Sequence, residues 1–478
     1  MKRAHPEDTE GGDSDSDDDF GPMPQPAGAV DIAAAEGEPS VQHSSSVAAG
    51  SSDKVVKKAV KKLKYEKLYL DNLPSSSMYE RSFMHRDVVT HIAVSKQTEF
   101  IITASHDGHV KFWKKLPTNI EFVKHYHAHL GCISGFVLSS DGLKLVTVSS
   151  KDFMIKFFDV LSFDMSNMIS AVDYVPTLAI WLNGSSGANL WSRVAVSELG
   201  GGKIRIYKAE SSSEAPIFVA DIHSAPVTSM VLNPVYFSVI SVDTKGMIEY
   251  WDVDSFQPPH DRLQFQHKIE TDLYDLAKSK AVPYDISVAP NGLLFAIIAS
   301  DKQIRIFRFL KGKLKRKYDE SNQVYSSSGG GNFDAFELGR RLALEREYDN
   351  CLSHSHNSSS SAVSGLDGAY YSNNLCVFDD SSSFLIYGTM AGIKVLNIVT
   401  NKVARSLGCA EGGERFVSLA LYQGVPKMDT QFLLAKNDGT SMKTVEQVRT
   451  HILPQLSLHC RSLNRCTDEL RSCYFLFR

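Results

Sequence analysis

The amino-acid sequence predicts an all-β fold, a β-propeller of four-stranded blades, on three observations. One strand pattern recurs, its terminal aromatic residues are evenly spaced, and a histidine stands at nearly fixed distance before three of them. The pattern is a polar turn followed by an alternating strand: Asp107-Gly-His-Val-Lys-Phe-Trp113, Asp152-Phe-Met-Ile-Lys-Phe-Phe158, Gly201-Gly-Lys-Ile-Arg-Ile-Tyr207, Gly246-Met-Ile-Glu-Tyr-Trp251 and Asp301-Lys-Gln-Ile-Arg-Ile-Phe307. The anchors Trp113, Phe158, Tyr207, Trp251 and Phe307 are 45, 49, 44 and 56 residues apart, the length of a blade. His85, His129 and His223 precede Trp113, Phe158 and Trp251 by 28, 29 and 28 residues. In each strand the Val or Ile and the aromatic are expected to share one face.

Taken in order, residues 1–53 are acidic, Ser- and Gly-rich and poor in aromatics, so they bury too little apolar surface to offset backbone entropy and read as a disordered arm. Within it Ser14 and Ser16 lie in an aspartate run, where phosphorylation would deepen the charge. Residues 54–66 read as a short basic amphipathic helix, with Val56, Val60 and Leu63 on one face, and Lys57, Lys58, Lys61 and Lys62 are candidates for nuclear import or docking. The formal charge is −4 overall, −9 in residues 1–50 and +5 in residues 51–70, which leaves the other 408 residues neutral. A neutral body excludes a wholesale polyanion binder.

The propeller is placed at residues 67–440. Further strands are expected at Phe100–Thr103, Leu145–Val148 and Ser238–Ser241, with GLLFAIIA at Gly292–Ala299 as a buried strand. An amphipathic helix over Phe333–Glu347 and a Ser-rich stretch over Ser353–Ser364 make an insertion spanning 333–372. Strands resume at Leu375–Phe378, Phe384–Tyr387 and Gly392–Asn397. An imperfect seventh blade is suggested by Val417–Leu421 and Phe432–Ala435, and Lys67–Leu70 could supply its closing outer strand. Residues 441–478 form a divergent tail, expected to reflect splicing or truncation.

Other chemistries find little footing. Seven cysteines without a C-x-x-C pair argue against a disulfide scaffold or zinc ribbon. No apolar run approaches the roughly 20 residues that span a bilayer. His85-Arg86-Asp87 resembles a kinase catalytic loop, but Ile92 stands where a metal-binding Asn is needed. His354 and His356 lack partners at ligand spacing, and Gly200–Gly202 and Gly329–Gly331 lack the strand-to-helix context of a phosphate cradle. No catalytic residue, cofactor, metal or small-molecule substrate is expected.

The repeats resemble the WD-repeat family, through His85, Ser105, Asp107 and Trp113 in the first. The resemblance implies a hydrogen-bonded network of those four residues, with weaker versions at His129, Ser150, Asp152 and Phe158, and framework roles for His223, Trp251, Asp301 and Phe307. In the fourth repeat Lys245 holds the place of the network aspartate and Asp243 lies two residues earlier. Lys67–Pro74, Met78–Ser82, Ser105–Lys115, Leu232–Tyr236, Gly246–Trp251 and Tyr387–Val395 are similar to one subfamily, the peptidylprolyl isomerase domain and WD repeat-containing proteins. That subfamily implies a nuclear, spliceosome-associated protein with a carboxy-terminal cyclophilin module. Only 39 residues follow Gly439, against about 160 for such a barrel. The expectation is therefore a non-catalytic scaffold in the nucleus with spliceosomal or chromatin protein partners, and no direct nucleic-acid or membrane contact. The alternative is a cyclophilin-type isomerase, acting in protein folding or pre-mRNA splicing, whose catalytic domain lies outside this sequence.

Overall fold

A computed structural model describes residues 62–75, 84–95, 97–116, 120–182, 193–211, 213–321, 339–343, 375–389, 392–408 and 416–423, with Val324 and Arg346. It contains six antiparallel sheets in chain order. Blade 1 is β1 (Val89–Val94), β2 (Phe100–Ser105), β3 (His109–Lys115) and β4 (Ile120–His127), and blade 2 is β5 (Ile133–Leu138), β6 (Lys144–Ser149), β7 (Met154–Asp159) and β8 (Asp164–Ser170). Blade 3 follows with β9 (Pro176–Leu182), β10 (Arg193–Glu198), β11 (Lys203–Lys208) and β12 (Phe218–Asp221). Blade 4 has three strands, β13 (Val227–Asn233), β14 (Ser238–Asp243) and β15 (Ile248–Asp252). Blade 5 comprises β16 (Pro283–Val288), β17 (Leu294–Ala299), β18 (Gln303–Arg308) and β19 (Lys313–Asp319); blade 6 comprises β20 (Cys376–Phe378), β21 (Phe384–Thr389), β22 (Gly392–Asn397) and β23 (Lys402–Leu407). The recurring pattern is thus the third strand of each blade. No helix among the described residues is long and apolar enough to cross a membrane.

The core lies between blades. Ile102, Val110 and Phe112 of blade 1 pack with Ile133, Phe136 and Phe158 of blade 2, and corresponding clusters join the later blades. Val110 and Phe112 face that cluster, whereas Trp113 belongs to a different one with Met84, Ile92 and Ile101. The Val and the aromatic therefore do not share a face: an odd separation along a pleated strand puts side chains on opposite sides. The innermost strands neighbour one another in sequence from β1 to β20, and those of blades 1 to 5 line a cavity of about 300 Å³ that includes His91 and Asp285 in its lining.

Between blades 6 and 1 sits the segment 416–423. Phe416, Leu419 and Leu421 pack with Phe384, Ile386 and Val395 of blade 6, and Ala420 packs against Met84 and Ile92. The Lys115 ammonium lies 4.9 Å from the Tyr422 ring centre, and the Tyr422 hydroxyl donates to Glu99 at 3.1 Å. This stretch takes the innermost place of a seventh blade, with a single bridge at Leu421 instead of a strand; Phe432–Ala435 lies outside the described residues.

The amino-terminal expectations need correction. Lys67–Leu70 is not a closing strand but part of α1 (Glu66–Asp71), whose adjacent Tyr69 and Leu70 both pack against blade 6, with Leu63 and Leu73 beside the helix on the same surface. Arg405 on β23 holds its end, donating to the carbonyls of Leu70, Leu73 and Pro74 at 2.7, 2.8 and 3.0 Å. Lys62 and Leu63 are not helical, and the rest of the expected basic helix, with Lys57, Lys58 and Lys61, lies outside the described residues, as do Ser14 and Ser16.

Candidate functional site

Three blades carry the same bridge between histidine, hydroxyl and aromatic positions. In blade 1 Trp113 Nε1 donates to Thr103 Oγ1 at 2.9 Å, and Thr103 Oγ1 shares a 2.7 Å hydrogen bond with His85 Nε2. In blade 4 Trp251 Nε1 donates to Ser241 Oγ at 3.2 Å, which meets His223 Nε2 at 2.7 Å, and Asp243 lies 3.5 Å from His223 Nδ1. In blade 2 His129 bonds Thr147 at 2.9 Å and Asp152 at 2.8 Å, while Phe158, without a donor, packs in the core. The hydroxyl lies 18 residues after the histidine in all three. A tryptophan opposite Ile101 or Val239 reaches the diagonal neighbour two residues further along the paired strand, which selects Thr103 and Ser241.

Ser105 and Ser150 therefore do not hold the bridging places expected of them. Ser105 lies at the end of β2 and donates to Asp107 in the turn, beyond the reach of Trp113. Asp107 is engaged there and with the His109 backbone N–H at 3.3 Å, so His85 Nδ1 is buried without a partner. Ser150 is buried in the turn after β6, and Thr147 serves instead. Lys245 is not the aspartate's substitute in blade 4; Asp243 accepts from the backbone N–H groups of Lys245 and Met247 at 3.0 and 2.8 Å while facing His223.

Blades 3 and 5 are braced by other chemistry. Tyr174 donates to the Tyr207 hydroxyl at 2.9 Å, and Arg205 lies 3.8 Å from the Tyr174 ring centre while donating to Glu198 at 2.7 Å. In blade 5 Asp301 joins no histidine; it accepts from Arg305 at 2.6 Å, and Arg305 also donates to Asp275 at 2.5 Å and to Ser279 at 3.1 Å, both on α2 (Asp275–Ser279). Phe307 is fully buried and stacks on Phe295 at 5.1 Å. Arg305 occupies a position that recurs: Lys111 donates to the Met84 carbonyl at 2.7 Å, Lys156 to that of Ala128, and Lys394 to Glu320 at 2.7 Å. Blade 4 inverts the charge, Glu249 accepting from Lys268. Each lysine or arginine contact ties a third strand to the segment before its own blade, whereas Glu249 is tied to the segment that follows blade 4. The sequence signal was the charged residue after each Val or Ile, and the sequence reading missed it.

Burial holds the neutral forms of two histidines: desolvation, then Lys111, lowers His85 to about 4, and desolvation lowers His91 to about 4. An unfolded chain regains the ordinary value near 6.5, so between these values it binds more protons than the folded one and stability rises with pH. Melting temperature is expected to fall as pH drops from about 6.5 to 4; a flat profile over that window would contradict the burial of both rings.

On the braced loops stand exposed apolar side chains. Leu130 and Val172, in the segments before blades 2 and 3, are 74% and 80% exposed. Between them Phe153, 37% exposed, sits in the turn before β7 at φ 56°. The equivalent turns of blades 1 and 4 use Gly108 and Gly246, at φ 81° and 78°. A Cβ at Gly108 would lie 2.2 Å from the His129 carbonyl oxygen, so glycine is required there. A phenylalanine in this left-handed region costs about 1 kcal/mol or more. The three segments are hydrogen-bonded: Leu130 N–H donates to Asp152 at 3.4 Å, and Ala171 N–H to the Phe153 carbonyl at 2.8 Å.

Residues 79–114, spanning blade 1 up to β3, match the family described as WD domain, G-beta repeat. Over 375 residues, 77% of this chain, the sequence is 44% identical to peptidylprolyl isomerase domain and WD repeat-containing protein 1 of Mus musculus, and equally to that of Homo sapiens. The chain is a relative of these WD-repeat proteins. It spans 54% of their length. It is also 43% identical over 367 residues, 76% of this chain and 55% of the relative, to peptidyl-prolyl cis-trans isomerase CYP71 of Arabidopsis thaliana. To peptidyl-prolyl cis-trans isomerase cyp15 of Rhizopus delemar it is 40% identical over 468 residues, 96% of this chain and 66% of the relative. In WD-repeat terms, the Leu130, Phe153 and Val172 segments belong to the face made by the turns before third strands and the connections between blades, the face that the buried bridges hold in place.

Proposed function

We propose that this WD-repeat propeller is a scaffold that assembles nuclear protein complexes, spliceosomal or chromatin-associated, by binding protein segments on the face that presents Leu130, Phe153 and Val172. The observation that carries the reading is Phe153: a left-handed backbone that glycine fills in blades 1 and 4, and the polar Lys302 in blade 5, is here spent on displaying an aromatic ring to solvent. Exposed apolar side chains on rigid supports are what protein interfaces use as anchors. Phe153→Gly suits the turn and is expected to leave the melting temperature unchanged or raise it, while reducing recovery of spliceosomal proteins when the chain is used for affinity capture from nuclear extract. Equal recovery by the natural chain and the variant would sink the reading. Nuclear entry is assigned to Lys57, Lys58, Lys61 and Lys62, and their replacement by Ala is expected to move the tagged chain to the cytoplasm.

A second reading rests on the relatives, several of which are named peptidyl-prolyl cis-trans isomerases. In it the propeller directs an isomerase module encoded in a longer form of the chain. Transcripts without an in-frame cyclophilin region beyond Gly439 would remove it.

A further inference from the structure

We propose that His109, His125 and His127 form a binding site for a divalent transition metal, zinc in the first instance. His125 and His127 are two residues apart on β4, so both project from one face, and the register of the hairpin pairs His127 directly with His109 on β3. A His-x-His pair on one strand with a third histidine opposite sets three imidazoles within reach of a single ion at Zn–N distances of about 2.0–2.1 Å. The rings are already together: His109 lies 4.6 Å from His125 and 4.5 Å from His127, centre to centre. His125 Nε2 and His109 Nδ1 face one another at 2.6 Å and share one proton. A metal ion would take the place of that proton, with the nitrogens drawn somewhat apart.

Behind His109 stands Asp107, its Oδ2 3.9 Å from Nε2, the nitrogen left over when Nδ1 is turned to the metal. A carboxylate behind a ligating imidazole fixes its tautomer and raises its basicity. The nearest cation on the same face, Lys111, is paired in register with His125, and its ammonium is taken by the Met84 carbonyl at 2.7 Å. Among the described residues no three donors yet converge on one point, so binding requires the exposed His125 and His127 side chains to turn about their own torsions. The sequence reading expected no metal, because 16 residues separate His109 from His125 and only the hairpin joins them.

The test is a calorimetric zinc titration of the full chain at pH 7.5. The natural chain should bind one zinc equivalent more than the His125→Gln/His127→Gln variant, so ions held elsewhere cancel. His127→Gln alone should weaken that equivalent by about 10- to 100-fold, at least the loss typical of an outer-shell partner. Without zinc the variants should melt with the natural chain, since the replaced side chains sit on an outer strand. Equal stoichiometry and affinity in natural chain and double variant would overturn the site. Should the variants fail to fold, Cu²⁺ resonance spectra of the natural chain decide: coupling to three nitrogens supports the site, and its absence overturns it.

Discussion

Replacing Trp251 by Ala is expected to destabilise the protein by about 3–5 kcal/mol, the usual cost of emptying a buried aromatic site. Trp251 is 1% exposed, packs with Ile180, Ile206 and Val239 across the interface of blades 3 and 4, and donates its indole N–H to Ser241. The substitution therefore opens a cavity and leaves Ser241, which still meets His223, without the indole donor. Its counterpart Trp113, the first repeat's anchor, is the instructive control. It makes the same hydrogen bond to Thr103 but is only partly buried, edge-on to an exposed Phe122 at 5.4 Å. Trp113→Ala should cost distinctly less. Chemical denaturation of both variants checks this, and equal losses would contradict the difference in burial.

Arg305→Ala is expected to cost about 3–5 kcal/mol, as does breaking a buried ion pair by removing one partner. The guanidinium side chain is 0% exposed and meets the Asp275 and Asp301 carboxylates at 2.5 and 2.6 Å. Without it two carboxylates of like charge remain together under α2. Asp301→Asn should cost less, because Asp275 still compensates the charge. If Arg305→Ala and Asp301→Asn are equally mild in denaturant titrations, the pair is not the fastening of α2 to blade 5.

The blades were legible because their third strands repeat at blade length, and the three histidines announced buried bridges. The hydroxyls at the centre of those bridges were misplaced by two residues in blade 1 and three in blade 2. Ser105 and Ser150 stand beside the conspicuous aspartates, whereas the choice of Thr103 and Thr147 depends on which diagonal neighbour the opposite strand offers. Arg305's partners were out of reach for another reason: Asp275 lies 30 residues earlier on a five-residue helix with no periodic signal. Leu68 and Leu70 alternate like a strand, and only the blade 6 surface, which receives the adjacent Tyr69 and Leu70 together, shows that the segment is a helix. Phe153 is the plainest case of a local rule broken, since nothing in composition distinguishes a turn that holds phenylalanine from one that holds glycine.

The segment 416–423 has a consequence for biosynthesis. It is what packs Ala420 and Tyr422 against blade 1, yet more than 300 residues separate it from Met84 and Val89. At about 5–20 residues per second on the ribosome, the flank of the first blade waits on the order of 15–65 s for its cover. During that time Met84, Val89, Ile92 and Ile101 face solvent as an apolar strip beside an open row of strands. The oldest part of the nascent ring is thus the last to be sealed, which makes blade 1 the natural client of a chaperone and the place where premature termination would do the most harm.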